Sequence, residues 1–239
     1  MKISIIVPVF NESSQIESFL DYLLPLVDFN FTKEIIVVDG GSTDLTIQKL
    51  KKYDTITVIH SPKGRAVQMN FGAKIATEEI LYFLHCDSNP PKFFDKEIVK
   101  QVNNGFFSGC FRMKFNDNHI VLKVSEWFTR FNLKSFRGGD QSLFVVKELL
   151  QKLNGFNEEY QIYEDNELIL RLFKTSKFAV IQKNIITSSR KYQEFGYWKL
   201  QFHFMMIHVI YRLSGYNHER IYNYYKKNII LNSINKNNK

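Results

Sequence analysis

The feature that most constrains this chain is a series of short apolar runs in its first ninety residues, each ending in acidic or small polar side chains. Ile3-Ser4-Ile5-Ile6-Val7-Pro8-Val9-Phe10 runs into Asn11-Glu12, Glu34-Ile35-Ile36-Val37-Val38 into Asp39-Gly40-Gly41-Ser42-Thr43-Asp44, and Ile80-Leu81-Tyr82-Phe83-Leu84 into His85-Cys86-Asp87-Ser88. Short β-branched and aromatic runs of this kind read as strands buried on both faces. Strands at 3–9, 34–39, 55–60 and 80–84 alternate with helical stretches at 14–27, 43–52 and 65–76. That alternation predicts an α/β fold with a parallel sheet between two helical layers. Ligands of open α/β sheets sit beyond the carboxyl ends of the strands. Three acid-bearing ends in one unit therefore predict a single shared pocket, with acids suited to a nucleotide base, a ribose and a metal-bound diphosphate.

Further along, Pro90-Pro91 breaks the chain before a helix expected over 92–102, followed by a strand over 106–115 and an amphipathic helix over 120–132. Gly138-Gly139-Asp140-Gln141 reads as a turn before a strand over 142–146, and 163–173 has helical spacing. Two short strands are expected at 178–181 and 185–188, then helices at 196–213 and 217–227. The Asn/Lys-rich end, residues 232–239, is expected to fray.

The net charge of +8 lies wholly in the last quarter. Residues 174–239 carry 12 Lys/Arg against Glu194 and Glu219, a balance of +10, while the remainder has 20 basic and 22 acidic side chains, a balance of −2. That quarter is also rich in aromatics. Such a composition suits an anionic membrane surface or a packed helix with solvated lysines. A nucleic-acid partner is not expected, since no nucleic-acid motif accompanies the charge. The helical stripe Leu200, Phe204, Ile207 and Tyr211 fits either a bilayer interface or packing against protein, in the same chain or in a homodimer. Cys86 and Cys110 fit neither a disulfide framework nor a zinc site, so free thiols in a reducing compartment are expected. Met1-Lys2 leads straight into a strand, and no apolar run reaches the roughly 18–20 residues of a spanning helix. The expected location is cytoplasmic, with peripheral attachment at the inner face of the plasma membrane left open.

Several residues carry candidate chemistry. Asn11 and Glu12 suit a base or ribose hydroxyls, or equally a helix N-cap. Asp39 suits the N–H groups of uracil or guanine, and Gly40 and Gly41 let backbone approach a ligand. Lys63, Gly64 and Arg65 precede a helix bearing Gln68, where Arg65 can pair with a diphosphate. Asp87 is the sharpest candidate, a hard carboxylate ligand for Mg²⁺ or Mn²⁺ just past a buried strand. Glu164 and Asp165 open a helix, and either can cap it or serve as a general base. Gly139, Asp140 and Gln141 suit the acceptor side of the same pocket.

In order and spacing, the stretches IIVPVFNE (5–12), VVDGGSTD (37–44), GRAVQMNFGA (64–73), LHCDS (84–88), GGDQSLF (138–144) and YEDNELILRL (163–172) resemble the inverting family 2 glycosyltransferases of GT-A fold. The tail, SSRKYQEFG (188–196) and GYNHERIY (215–222), resembles a small bacterial subgroup described as transferase 2, radical-SAM/selenodomain-associated. The resemblance implies a GT-A three-layer α/β/α sandwich with a mostly parallel central sheet and C-terminal helices. With no internal repeat or linker, one domain is expected over 1–230, with a nucleotide-sugar half (1–115), an acceptor and catalytic half (116–195) and basic aromatic helices (196–230), before a tail (231–239) whose composition predicts disorder.

By the same resemblance Pro8, Phe10, Asn11, Glu12 and Asp39 hold the nucleoside, and Lys63, Gly64 and Arg65 border the base and diphosphate. Asp87 binds a divalent cation, Mn²⁺ or Mg²⁺, although His85 stands where the family's Asp-x-Asp motif has its first acid. Asp165 is the base, with Glu164 as the other candidate, and our reading of charge adds Arg190 and Lys191 as neutralisers of the leaving diphosphate. The donor expected is a nucleotide sugar, UDP more than GDP, and the acceptor is unspecified, a lipid-linked one included. The alternatives are a non-catalytic module that binds a nucleotide sugar or a membrane surface, and a nucleotidyltransferase. The missing Gly-rich loop after the first strand argues against the latter. The absent G-x-G-x-x-G argues against a dinucleotide-dependent oxidoreductase.

Overall fold

The computed structural model describes residues 1–231, so the fraying expected of the Asn/Lys end lies outside the described residues. The chain opens β1 (Ile3–Val9), α1 (Ile16–Leu23), β2 (Thr32–Asp39), α2 (Thr46–Leu50), β3 (Thr57–His60), α3 (Arg65–Ile75) and β4 (Ile80–Phe83). It continues β5 (Ser88–Asn89), α4 (Phe94–Asn103), β6 (Ser108–Phe115), α5 (Ile120–Phe128), β7 (Leu143–Val146) and α6 (Lys147–Lys152). Then come α7 (Glu164–Thr175), β8 (Phe178–Thr187), α8 (Arg190–Phe195), α9 (Tyr197–Leu213) and α10 (His218–Tyr225), followed by a π-helical turn, Lys226–Ile230. The helix expected over 14–27 stops at Leu23 and tightens to a 3₁₀ turn, Leu24–Leu26, with Pro25 in its first turn.

One eight-stranded sheet in the order β3-β2-β1-β4-β7-β6-β8-β5 forms the middle layer. β1 pairs parallel with β2 and β4, and β2 with β3. β7 runs antiparallel to both β4 and β6, whereas β6 and β8 pair in parallel. Alternation along β1 divides the core. Ile3, Ile5, Val7 and Val9 pack with α1 and α4 residues such as Phe19, Leu20, Phe94 and Ile98. Ile6 faces the other way, with Met69 and Ala73 of α3 and Leu168 and Leu172 of α7. Both faces of the strands are therefore covered, the reason their sequences read as continuous apolar runs. Gly72 allows α3 to lie directly on β1, since a Cβ there would come within 2.5 Å of Ile6 Cγ2.

Two elements depart from expectation. The strands expected at 178–181 and 185–188 are one strand, β8. Its pairing with β6 steps from Phe111 opposite Ile181 to Arg112 opposite Asn184, so Gln182 and Lys183 are extra residues in a bulge. The stripe on α9 faces protein: Leu200, Ile207 and Tyr211 are buried with Phe115, Leu122, Tyr160 and Tyr192, and Phe204 packs against them. Among the described residues no helix is long and apolar enough to cross a membrane.

Candidate active site

The loops after β1 and β2 are laced to each other. Asn11 N–H donates to Ser42 Oγ (2.9 Å), Thr43 N–H to Asn11 Oδ1 (2.8 Å), Glu12 N–H to Thr46 Oγ1 (2.8 Å) and Ser13 N–H to Asp44 Oδ2 (3.1 Å). Asn11 takes the left-handed conformation (φ 54°) that Asn tolerates. Asp39 is almost wholly buried. Its carboxylate accepts Gly41 N–H (3.0 Å) and Ser42 N–H (3.1 Å), with His60 Nδ1 at 3.2 Å. Gln68 is buried beneath these ends and donates to the Val9 and Val38 carbonyls, both at 2.8 Å, so it braces the strands. Pro8 lies within β1 opposite Val38. Gly41 (φ 86°) has open space where a Cβ would point. Lys63 Nζ sits 3.9 Å from the Phe10 ring centroid, a cation–π contact at the rim.

A second group surrounds a cavity of about 490 Å³. Arg65, Asp87, Asp140, Gln141, Asp165, Arg190 and Lys191 all line it. Its walls are apolar, with Met113, Phe115, Phe128, Phe136, Phe204 and Met205 among them. None of Pro8, Phe10, Asn11, Glu12, Asp39, Gly41, Lys63, Gly64 or Gln68 reaches this lining. The candidates from the first two strand ends thus gather in a laced loop pair, and those after β4 and at the start of α7 gather at the cavity.

Asp165 is buried in the first turn of α7, where the helix dipole favours a carboxylate. Its Oδ2 lies 3.6 Å from His85 Nε2. Burial works against the charged form, but the hydrogen bond and charge of His85 and the nearby Arg65 hold the Asp165 carboxyl below the usual carboxylate range. Burial and the Arg65 charge lower the His85 pKa, but the close contact with Asp165 and the Asp165 and Asp87 charges outweigh them and raise it overall. Nothing in the residue pattern signals that His85 and Asp165, 80 residues apart, meet.

Glu164, the other candidate base, is fully buried, does not line the cavity and is ion-paired with Arg65 Nε. Its Oε2 has no hydrogen-bond partner among the described residues. Arg65 is therefore shared between this internal pair and the cavity.

Partial desolvation at the cavity, then the charge of Asp87, push the Asp140 carboxyl up, with Lys191, His85 and Arg65 pulling the other way. Two carboxylates that oppose each other's ionisation suit a hard cation that takes its remaining ligands from a phosphate substrate. His85 Nε2 points to Asp165 instead, and the described residues gather no group of three or more His, Cys, Asp or Glu able to hold a metal alone. The donor set thus fits a cation shared with a diphosphate, held through Asp87, and does not form a protein-only cage.

Arg137 was not anticipated. It is buried and its guanidinium donates to the carbonyls of Thr129 (2.6 Å) and Phe131 (2.8 Å), to Gln141 Oε1 (2.6 Å) and to Cys110 Sγ (3.2 Å). Gln141 in turn donates to the Phe136 carbonyl (2.6 Å). Cys86 and Cys110 are both free and buried, and burial pushes both thiols up.

Residues 4–160 match the family model "Glycosyl transferase family 2", and the chain belongs to that family. It is 25% identical over 194 residues to an uncharacterized glycosyltransferase of Haemophilus influenzae (76% of this chain, 65% of that protein). It is 24% identical over 199 residues to the probable glycosyltransferase YdaM of Bacillus subtilis (72% and 46%). The chain thus spans about two thirds and about half the length of these curated relatives. Among solved structures, S. aureus TarS 1–349 in complex with UDP superposes with a TM-score of 0.66 at 20% identity, covering 79% of this chain and 60% of that one. The mannosyltransferase PcManGT of Pyrobaculum calidifontis, in complex with GDP-Man and Mn²⁺, gives 0.68 at 18% identity, covering 86% and 62%. The fold is GT-A, with the sheet between its helical layers.

Proposed function

We propose that this protein is a glycosyltransferase of hexosyltransferase type that moves a sugar from a nucleotide diphosphate sugar, UDP in preference to GDP, onto an acceptor hydroxyl with inversion. The observation that carries the reading is Asp165, a buried carboxylate held by His85 in the wall of a cavity that also contains Asp87, Asp140, Arg65 and Arg190. Family membership supports sugar transfer. The UDP of the TarS structure and the GDP-Man of PcManGT support a nucleotide-linked donor. The tail stretches at 188–196 and 215–222 extend our reading to the subgroup described as transferase 2, radical-SAM/selenodomain-associated.

In the single displacement, Asp165 accepts the proton of the acceptor hydroxyl, whose oxygen attacks the anomeric carbon. The bond from that carbon to the diphosphate oxygen breaks, and the nucleoside diphosphate leaves with the electron pair. Arg65, Arg190 and Lys191 surround the departing charge, where fixed cations stabilise the transition state. Bound through Asp87, a Mn²⁺ or Mg²⁺ ion would supply further neutralisation of the diphosphate. The laced loops of Asn11, Glu12, Asp39 and Gly41, with Phe10 and Lys63, form a preformed rim for the nucleoside.

Thermal shift with UDP, GDP, CDP and their sugars, with and without Mn²⁺, tests the donor site. Stabilisation by a nucleotide, deepened by the ion and lost in Asp87→Ala, is expected. Full transfer by a folded Asp165→Asn would exclude it as the base.

A further inference from the structure

Two helices border the cavity, and each carries an apolar stripe left exposed by the described residues. On α5 the stripe is Ile120, Val124 and Trp127, at spacings of four and three, continued past the helix end by Phe131 and Leu133. On α9 it is Trp198, Phe202, Met205, Val209 and Leu213, on the side away from the buried Leu200, Ile207 and Tyr211. The helices are joined by Ser125 Oγ donating to Gln201 Oε1 (3.4 Å), and Arg212 Nη2 donates to Ser135 Oγ (2.7 Å). Phe128 and Met205 are exposed at the surface and also line the cavity, so the cavity opens between the two stripes. Large exposed apolar patches are uncommon on soluble monomers and mark interaction sites.

Cations frame this face. Arg130 stacks on Trp127 with 5.1 Å from its guanidinium to the ring centroid, and Lys134, Lys199 and Arg212 are exposed beside the stripes. Residues 174–239 carry the whole positive excess of the chain. A symmetric dimer through this face would set those cations against their own copies. Tryptophans beside lysine and arginine match the boundary between acyl chains and anionic headgroups.

We infer that the α5 and α9 stripes seat the protein on an anionic phospholipid bilayer, and that the cavity between them takes a membrane-borne alcohol as acceptor. The acceptor part rests on the transferase reading, whereas the docking part does not. An amphipath that enters between the stripes would lay its apolar portion along Phe128, Phe204 and Met205 and bring its hydroxyl toward Asp165 at the polar end.

The chain's two tryptophans both lie on this face, so intrinsic fluorescence reports on it directly. Vesicles of phosphatidylglycerol and phosphatidylcholine should blue-shift the emission and co-sediment the protein, and pure phosphatidylcholine vesicles should bind far less. Phe202→Ser, at an exposed position, should weaken partitioning about tenfold. Lys199→Gln should weaken it roughly fivefold at low salt. No shift and no co-sedimentation at low salt would overturn the docking, as would a soluble dimer that both substitutions dissociate. On the same preparation, octyl and methyl β-glucoside below micellar concentrations probe the cavity in the presence of nucleotide. Tighter binding of the octyl compound, lost in Met205→Asp, is expected, and equal binding of both would overturn the acceptor assignment. Nucleotide stabilisation without vesicle binding refutes the docking alone. Vesicle binding without nucleotide stabilisation refutes the transferase reading and leaves the docking standing.

Discussion

Gly139 faces Asp165 so closely that a Cβ would stand 2.0 Å from its Oδ2 and 3.2 Å from His85 Nε2. A methyl group there must displace the carboxylate. Gly139→Ala is expected to cost about 1–3 kcal/mol of stability and roughly a hundredfold in kcat/KM. Gly138→Ala, whose Cβ would meet nothing nearer than Asn166 Oδ1 at 4.0 Å, is the neutral control in the same assays. Arg137 makes a different demand, since its flat fork serves two carbonyls, an amide oxygen and a thiol at once. Lysine cannot reproduce that geometry, and Arg137→Lys should lower stability by about 3 kcal/mol, measured by denaturant unfolding. These two residues mark the limit of reading the site from sequence. Asp87 stood out because a carboxylate just past a buried strand answers to few local needs, whereas Asp165 at a helix start could equally be a cap, and only the fold sets it against His85. Asn11 and Glu12 were legible as polar punctuation, but the structure shows their backbones tied to Ser42 and Thr46, a use that spacing cannot separate from ligand binding. Arg137 carried no signal, because its partners come from Cys110, Thr129 and Phe131, brought near only by the fold.

At the scale of elements, Asp117 joins the end of β6 to the helices that follow the sheet. Its Oδ2 accepts the hydroxyl of Tyr197 (2.5 Å), the amide of Gln193 (3.1 Å) and the hydroxyl of Ser189 (3.4 Å), while Oδ1 accepts His119 N–H (2.9 Å). The Tyr197 bond above all, then that of Gln193, lowers its carboxyl from the ordinary 3.8 to about 2. A carboxyl depressed in the folded state contributes stability that is fully present above 3.8 and is lost as pH falls through about 2. The melting-temperature gap between the wild type and Asp117→Asn should therefore be largest toward neutral pH and close across that acid window. A gap that stays constant would show that the carboxylate's charge contributes nothing to this junction. The parallel half of the sheet was readable because both of its faces are buried, which leaves uninterrupted β-branched runs. β8 was not, since Gln182 and Lys183 interrupt an apolar strand, and only its pairing with β6 reveals that they are the bulge. The short α8 escaped notice for a related reason: only Tyr192 in it is buried, so it has no apolar period to read.

Across the whole molecule, the C-terminal helices close a cluster that the sheet begins. Leu200, Ile207, Tyr211, Ile221 and Ile229 are buried against Phe115 of β6, Leu122 of α5, Tyr160 of the loop before α7 and Tyr192 of α8. At about 1.5–3 kcal/mol for each large apolar side chain buried, those five contribute roughly 8–15 kcal/mol as an upper estimate. That equals the entire net stability of an ordinary domain, about 5–15 kcal/mol. A chain ending after Phe195 should therefore lose its cooperative unfolding transition and bind a hydrophobic dye, although every strand remains. A truncated chain that melts sharply and still gains stability from nucleotide would show that the laced β1 and β2 loops and their sheet fold independently. The same helices supply Gln201, Phe204, Met205, Ile207 and His208 to the cavity wall. Without α9 the Asp165 carboxylate would face open water, where the His85 contact is screened. Stability and the enclosure of the acceptor side thus depend on one element, and substitutions in its buried stripe should reduce both together, whereas those at Trp198, Phe202, Val209 and Leu213, exposed and outside the cavity lining, should reduce neither.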